Sequence, residues 1–254
     1  MKNKKIILTG ASSGIGSELC KLLAPHNTIF AVARRVEKIP VHSNIIPYKY
    51  DLSDVHNIHT LLKTANETMG DIDMFIANAG FAYYDLLEKG DVDHIQSIFT
   101  TNVTSPLTAL TLLRELKQNA PFTFAFTASA MCFLALPGYS LYSATKFALK
   151  GFTDAYRFEI PKHQQITMIY PIATITGFFN AAGTESMPWP RQRADFVAKQ
   201  ILKGLDRGKN HIFPSRTFRL MLLLNKFLPI FPLYTAIEKR KLQKLRNHHE
   251  RDGA

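Results

Sequence analysis

Lys5-Ile6-Ile7-Leu8-Thr9-Gly10-Ala11-Ser12-Ser13-Gly14-Ile15-Gly16 is the stretch that decides the fold. Ile6-Ile7-Leu8 is too uniformly apolar for a strand with one wet face, and it ends at once in a glycine-rich turn. Gly10 permits a tight turn, Gly14 lets backbone approach a ligand, and Gly16 lets a following helix pack closely on the strand. The helix N-terminus beyond presents unbonded N–H groups and a positive dipole end. Strand, glycine turn and helix in this order suit the pyrophosphate of a dinucleotide, held by Gly10, Ser12, Ser13, Gly14, Ile15 and Gly16.

Outward from that unit, apolar runs alternate with helical patterns almost without interruption. Strands are predicted over 5–9, 28–33, 45–50, 74–77, 122–127, 166–170 and 211–213. Helices are predicted near 14–24, 53–69, 91–118, 139–160 and 191–206. Such βαβα alternation predicts an α/β fold: a doubly wound parallel β-sheet of about seven strands, with helices on both faces. No repeat or low-complexity linker interrupts it, so 1–215 reads as one catalytic domain. Residues 216–254 read as an apolar and basic C-terminal helical extension of that domain.

The chain has 254 residues, 46% hydrophobic and 20% charged, which is ordinary for a globular protein. Its net charge of +11 is uneven, because 209–254 carries ten Lys/Arg against three acids. A basic tail rather than a basic face argues against a nucleic-acid groove and suits an anionic surface. Cys20 and Cys132 lie in separate elements without metal-ligand spacing, so no metal site and no disulfide framework is expected. The expectation is a reduced, cytoplasmic protein, since the apolar run after Lys5 is too short for a secretory leader.

The second predicted strand ends in Ala33-Arg34-Arg35. The acid that would accept a hydrogen bond from an NAD ribose is missing there, and two guanidiniums stand in its place. A guanidinium suits a 2′-phosphate, so NADP(H) is preferred over NAD(H). Ser12 or Ser13 can reach the same phosphate.

Further on, Tyr142 and Lys146 lie four apart, one turn above the other on a helix face. An ammonium beside a phenol favours the phenolate, and a tyrosine adjusted to neutral pH is a general acid–base catalyst. Lowering a phenol from ~10 to about 7 corresponds to roughly 4 kcal/mol, more than one exposed ammonium supplies. A second cation, such as an oxidised nicotinamide ring, has to contribute. Ser129, upstream across a Pro-Gly turn, can hold a substrate oxygen against the tyrosine. Tyr139 has Ser143 rather than a cation four residues on, and is set aside as the proton donor.

With these residues in view, the chain resembles the short-chain dehydrogenase/reductase family, of the compact single-domain type, over nearly its whole length. Thr9, Gly10, Gly14 and Gly16 match its glycine pattern, and Asp51 before Leu52 matches its adenine-contacting acid. Asn78-Ala79-Gly80, the mid-helix Asn102, and Ser129, Tyr142 and Lys146 match the remaining motifs in order. The resemblance implies a Rossmann-type fold and a proton relay. Tyr142 would exchange a proton with the substrate oxygen, and Ser129 would position that oxygen. Lys146 would bind the nicotinamide ribose, and Asn102 would hold a water linking lysine to solvent. Read from the residues alone, Asn102 instead satisfies backbone groups at a helix irregularity, and Ser129 merely ends its strand. The chain departs from the family at Pro171-Ile172, where a glycine usually follows the proline. Pro171, Ile172 and one of Thr174 or Thr176 are expected at the nicotinamide.

Phe81, Tyr83, Cys132, Phe133, Tyr139, Phe178 and Phe179 are expected to flank the reacting centre, with Tyr84, Leu134 and Leu136 beside them and a flexible lid over 177–189. So many apolar groups suggest a lipophilic alcohol interconverted with its ketone or aldehyde. The alternative is a catalytically silent NADP-binding regulator or membrane-surface scaffold. For 216–248, two readings stand: peripheral attachment to a membrane, or closure over the pocket or a partner subunit. The family's habit of pairing helices like 91–118 and 139–160 implies a homodimer or homotetramer.

Overall fold

The structure, a computed structural model, describes residues 1–88, 90–184 and 187–252. Its elements in chain order are β1 (Lys5–Thr9), α1 (Gly14–Leu23), β2 (Thr28–Ala33), β3 (Ile45–Lys49), α2 (Ile58–Met69), β4 (Met74–Ala77), α3 (Val92–Phe99), α4 (Ser105–Lys117), β5 (Phe122–Thr127), α5 (Ser140–Tyr156) and β6 (Gln164–Ile169). Then come β7 (Thr174–Ile175), α6 (Phe178–Ala181), β8 (Gln192–Arg193), α7 (Ala194–Asp206), β9 (His211–Ile212), α8 (Arg216–Leu224) and α9 (Ile230–Asp252).

Seven strands form one sheet in the order β3-β2-β1-β4-β5-β6-β9, every neighbouring pair parallel. Alternate side chains of β1 explain its uniform apolarity. Ile7 joins Phe30, Phe75 and Phe124 in a core completed by Leu61 of α2, Leu110 of α4 and Leu149 of α5. Ile6 and Leu8 face the other way, onto Leu19 of α1 and Val197 and Ile201 of α7. Both faces are therefore dry, as near-continuous apolar strands require. The order reverses between β1 and β4, so the chain leaves these two strands in opposite directions and opens a crevice at their C-terminal ends.

Three departures from the predicted elements bear on that crevice. The second helix starts at Ile58, after a 3-10 turn at Val55–Asn57. The single helix predicted over 91–118 is broken by a π-turn at Thr100–Thr104. Pro106, at the start of α4, has no N–H, so it cannot donate to the carbonyl of Asn102 as an α-helix requires. The predicted lid is part helix, because Phe178–Ala181 forms α6. Glu185 and Ser186 of that lid, and positions 253–254 of the extension, lie outside the described residues.

Candidate active site

The glycine turn is built as the sequence suggests. Gly10 and Gly14 adopt φ of +68° and +54°, a region that only glycine enters cheaply. A Cβ on Gly16 would stand 2.1 Å from the carbonyl oxygen of Gly10, so α1 meets β1 with no room for a side chain. Ser13 caps α1 in an extended conformation without a side-chain cap bond, which leaves its hydroxyl and the first N–H groups of α1 facing the crevice. Thr9 ties this turn to the next strand end: its hydroxyl oxygen accepts from the N–H of Asn78 (3.0 Å) and of Ala79 (3.1 Å). Asn78 Nδ2 in turn donates to the Thr9 carbonyl at 3.1 Å.

One cavity of about 800 Å³ runs along the crevice. At one end it is lined by Gly10, Ser12, Ser13, Gly14 and Ile15, then by Arg34, Arg35, Asp51 and Leu52. Asn78, Ala79 and Gly80 form its floor, with Pro171, Ile172, Thr174 and Thr176 opposite. Gly16 is not among the lining groups; its part is the helix–strand contact just described. The glycine cradle, the capless helix N-terminus and the arginine pair fit a dinucleotide. Arg34 Nη1 stands 3.9 Å from Asp51 Oδ2, and both side chains are largely in solvent. Of the two threonines, Thr174 is buried and donates to the Ile172 carbonyl at 2.9 Å, whereas Thr176 packs on the Cα side of Gly14.

Midway along the cavity lie Ser129, Tyr142 and Lys146. α5 presents Tyr142, Thr145, Lys146, Leu149, Thr153 and Tyr156 on its buried face, the three-and-four spacing of one helical stripe. Lys146 Nζ lies 5.2 Å from the centre of the Tyr142 ring and donates to the Thr127 carbonyl at 3.2 Å. Ser129 Oγ accepts from the N–H of Met131 at 3.1 Å and lies near enough to the Tyr142 phenol to favour its ionised form. Asn102 does not line the cavity. It sits in the π-turn, its Nδ2 donating to the Phe81 carbonyl (2.8 Å) and to Thr145 Oγ1 (3.3 Å), its Oδ1 accepting from the Phe81 N–H (3.1 Å). Asn102 thus satisfies backbone groups at a helix irregularity, its side chain clamping the backbone beside Gly80.

Lys146 by itself does not lower the tyrosine, in keeping with a shift that needs a second cation. Burial of Tyr142 is the largest influence and pushes its phenol up; the Ser129 side chain opposes it, and Lys146 is not among the groups that lower it. Burial also lowers the Lys146 ammonium, to about 8. Desolvation outweighs the pair's attraction because both groups are nearly enclosed.

The far half of the cavity is apolar: Phe81, Leu134, Leu136, Phe178, Phe179 and Trp189 line it, with Tyr139. Four of the expected residues are elsewhere, and those expectations are corrected: Tyr84 packs on Tyr139 with ring centres 4.9 Å apart. Tyr83 stacks on His94 with ring centres 3.7 Å apart and shares a hydrogen bond with Ser97. Cys132 is buried behind α5, its thiol pushed up to about 11 by burial and donating to the Lys146 carbonyl. Phe133 packs on Tyr170, Phe213 and Phe218. A 3-10 turn at Ala130–Cys132 rotates these two positions inward, which apolarity alone does not reveal. In their place the extension supplies Phe218 and Met221 from α8 and Tyr234 from α9. Closure over the pocket was one of the two readings open for 216–248, and these three side chains take that place. Among the described residues there is no cluster of metal-ligating side chains.

The short chain dehydrogenase family model matches residues 4–186, so the chain belongs to the short-chain dehydrogenase family and is an oxidoreductase acting on CH–OH groups. It is 28% identical to an NADPH-dependent 1-acyldihydroxyacetone phosphate reductase of Saccharomyces cerevisiae, over 96% of this chain and 94% of that one. It is 25% identical to a 3-dehydrosphinganine reductase of Danio rerio, over 78% of this chain and 68% of the relative. A short chain dehydrogenase from Burkholderia cenocepacia, solved in complex with NADP, shares the fold with a TM-score of 0.77 at 19% identity, covering 89% of this chain and 95% of its own.

Proposed function

We propose that the protein interconverts a lipophilic alcohol and its ketone or aldehyde with NADP(H), using Tyr142, Lys146, Ser129 and Asn102. The observation that carries this reading is that Tyr142, Ser129 and Lys146 open midway along one cavity, between a dinucleotide cradle and an apolar chamber. The nicotinamide would supply or take the hydride. Tyr142 delivers the proton to the substrate oxygen, and the Ser129 hydroxyl, close to that phenol, holds the same oxygen. A phenol that burial keeps protonated is a competent acid for carbonyl reduction. Lys146, midway between Tyr142 and the Gly80 turn, binds the ribose and restores the proton. Asn102 holds the floor of that path and the water that links lysine to solvent.

Arg34 and Arg35 beside the glycine turn support NADP(H) over NAD(H). Asp51 and Leu52 are assigned to the adenine, and Pro171, Ile172, Thr174 and Thr176 to the nicotinamide end. The apolar chamber supports a lipophilic substrate, and two relatives whose names denote lipid reductases support it further. Tyr142→Phe should lower turnover of hydrophobic carbonyls by ~100-fold or more while NADPH affinity stays nearly unchanged. Turnover that survives this substitution refutes the relay.

The extension is assigned to the catalytic unit, because α8 and α9 complete the cavity wall. Its outer surface exposes Leu220, Leu223, Phe227, Leu228 and Leu233 beside Arg216, Arg219 and Lys226. Apolar wedge and basic flank support peripheral attachment to an anionic membrane, in the plane of its interface. Among the described residues no helix is long and apolar enough to cross a membrane. Co-sedimentation with anionic vesicles that weakens at high salt is the expected result; equal partitioning of the full chain and residues 1–215 refutes attachment. A homodimer or homotetramer through α4 and α5 is assigned from Leu116 and Phe147, exposed on those helices, and light scattering of the purified chain tests it.

A further inference from the structure

Tyr139 is 2% exposed and lines the substrate half of the cavity, yet its hydroxyl has no hydrogen-bond partner among the described residues. Leaving a buried hydroxyl unbonded is costly, so such a group calls for an occupant. Its position is well determined. The ring packs 4.9 Å from that of Tyr84 and 6.5 Å from that of Tyr142, centre to centre. Gly138, just before it, has φ of +81° and lies so close to Tyr84 that a Cβ would come within 2.4 Å of that ring. From the opposite wall Tyr234 lines the same space and is anchored by donating to the Trp189 carbonyl at 2.6 Å.

A buried acid stands near this group. Glu238 lies one turn beyond Tyr234 on α9 and is buried. Its carboxylate helps burial to raise the phenols of Tyr84, Tyr139 and Tyr234. Among the described residues, no Lys or Arg other than Lys146 lines the substrate half. Apart from Lys146, assigned above to the ribose, no described residue lining this half would neutralise a phosphate or carboxylate, whereas a donor meets a phenol oxygen with a buried acid nearby.

We propose that Tyr139 is a second polar anchor of the substrate cavity, accepting from a hydrogen-bond-donating substituent, a protonated amine or a hydroxyl, carried close to the reacting carbonyl. This rests on the oxidoreductase reading above and narrows its substrate class. Tyr142 and Ser129 take the carbonyl oxygen, Tyr139 takes the neighbouring donor, and the apolar wall takes the chain.

The test uses the full chain with NADPH and four matched long-chain ketones: unsubstituted, and with an amine, a hydroxyl or a phosphate ester on the carbon next to the carbonyl. The wild type should prefer the amine or hydroxyl analogue to the plain ketone by ~10-fold or more in kcat/KM, and the phosphate ester should be poorest. Tyr139→Phe keeps the ring, and should bring the ratio of substituted to plain ketone towards one whatever it does to both rates. Preference for the amine alone assigns the selectivity to the acid behind the phenol and supports the anchor; preference for both donors supports it equally. A ratio unchanged by Tyr139→Phe, or a phosphate ester preferred, overturns the proposal while leaving the oxidoreductase reading intact. No NADPH oxidation with any of the four refutes that reading, and the anchor with it.

Discussion

Lys146→Met should make the cofactor-free protein more stable at pH 7 and catalytically dead. Lys146 is 3% exposed, and burial brings its ammonium from an ordinary 10.5 to about 8. The folded protein thus carries a charge disfavoured by about 3 kcal/mol relative to the unfolded chain. Methionine fills nearly the same space without the charge. It forfeits the hydrogen bond to the Thr127 carbonyl, at about 1 kcal/mol, so the net gain is about 2 kcal/mol. For a chain of this size that raises Tm by about 4–8 °C. The gain depends on pH in a defined direction. Below pH 8 folded and unfolded wild type both hold the proton, and the full cost stands. Between pH 8 and 10.5 the unfolded chain keeps a proton that the folded one has lost, so wild-type stability rises with pH through that window. Urea denaturation of both proteins at pH 7 and pH 10 should show the advantage of Lys146→Met shrinking to about zero at the higher pH. An advantage equal at both pH values, or a variant less stable at pH 7, refutes the claim that a desolvated ammonium is stored here.

Gly16→Ala places a Cβ 2.1 Å from the Gly10 carbonyl, so α1 must move off β1; dinucleotide binding, followed by fluorescence titration, should weaken by ~10-fold or more, with stability lower by about 1–3 kcal/mol. Replacing Arg34 and Arg35 together by Asp should raise KM for NADPH by ~10-fold or more and leave KM for NADH no worse, which steady-state kinetics with both cofactors will show. Asn102→Ala strands the part-buried N–H and carbonyl of Phe81; a loss of about 1–3 kcal/mol in urea denaturation is expected, against well under 1 kcal/mol if the clamp is dispensable.

The layout of the sheet, the glycine cradle and the tyrosine–lysine face of α5 were legible because each depends on local chemistry: backbone freedom at Gly10 and Gly14, strand apolarity, and four-residue spacing on a helix. The apolar run from Phe218 was legible as a helix for the same reason. Its destination was left open between a membrane surface and the pocket, since docking Phe218, Met221 and Tyr234 against the cavity depends on contacts between residues far apart in the chain. Tyr83, Cys132 and Phe133 show the same limit from the other side. They follow motif residues in sequence, but a 3-10 turn and the stacking of Tyr83 on His94 send them away from the cavity. The sign of the shift at Tyr142 also lay beyond local reasoning: spacing brings an ammonium within reach of a phenol, but only the packed protein decides how much water both have lost. Sequence by itself determined which elements form and which groups share a helix face, because those follow from short-range stereochemistry. Tertiary structure alone decided which side chains meet at the cavity and what protons they hold, because burial is a property of the whole assembly of elements.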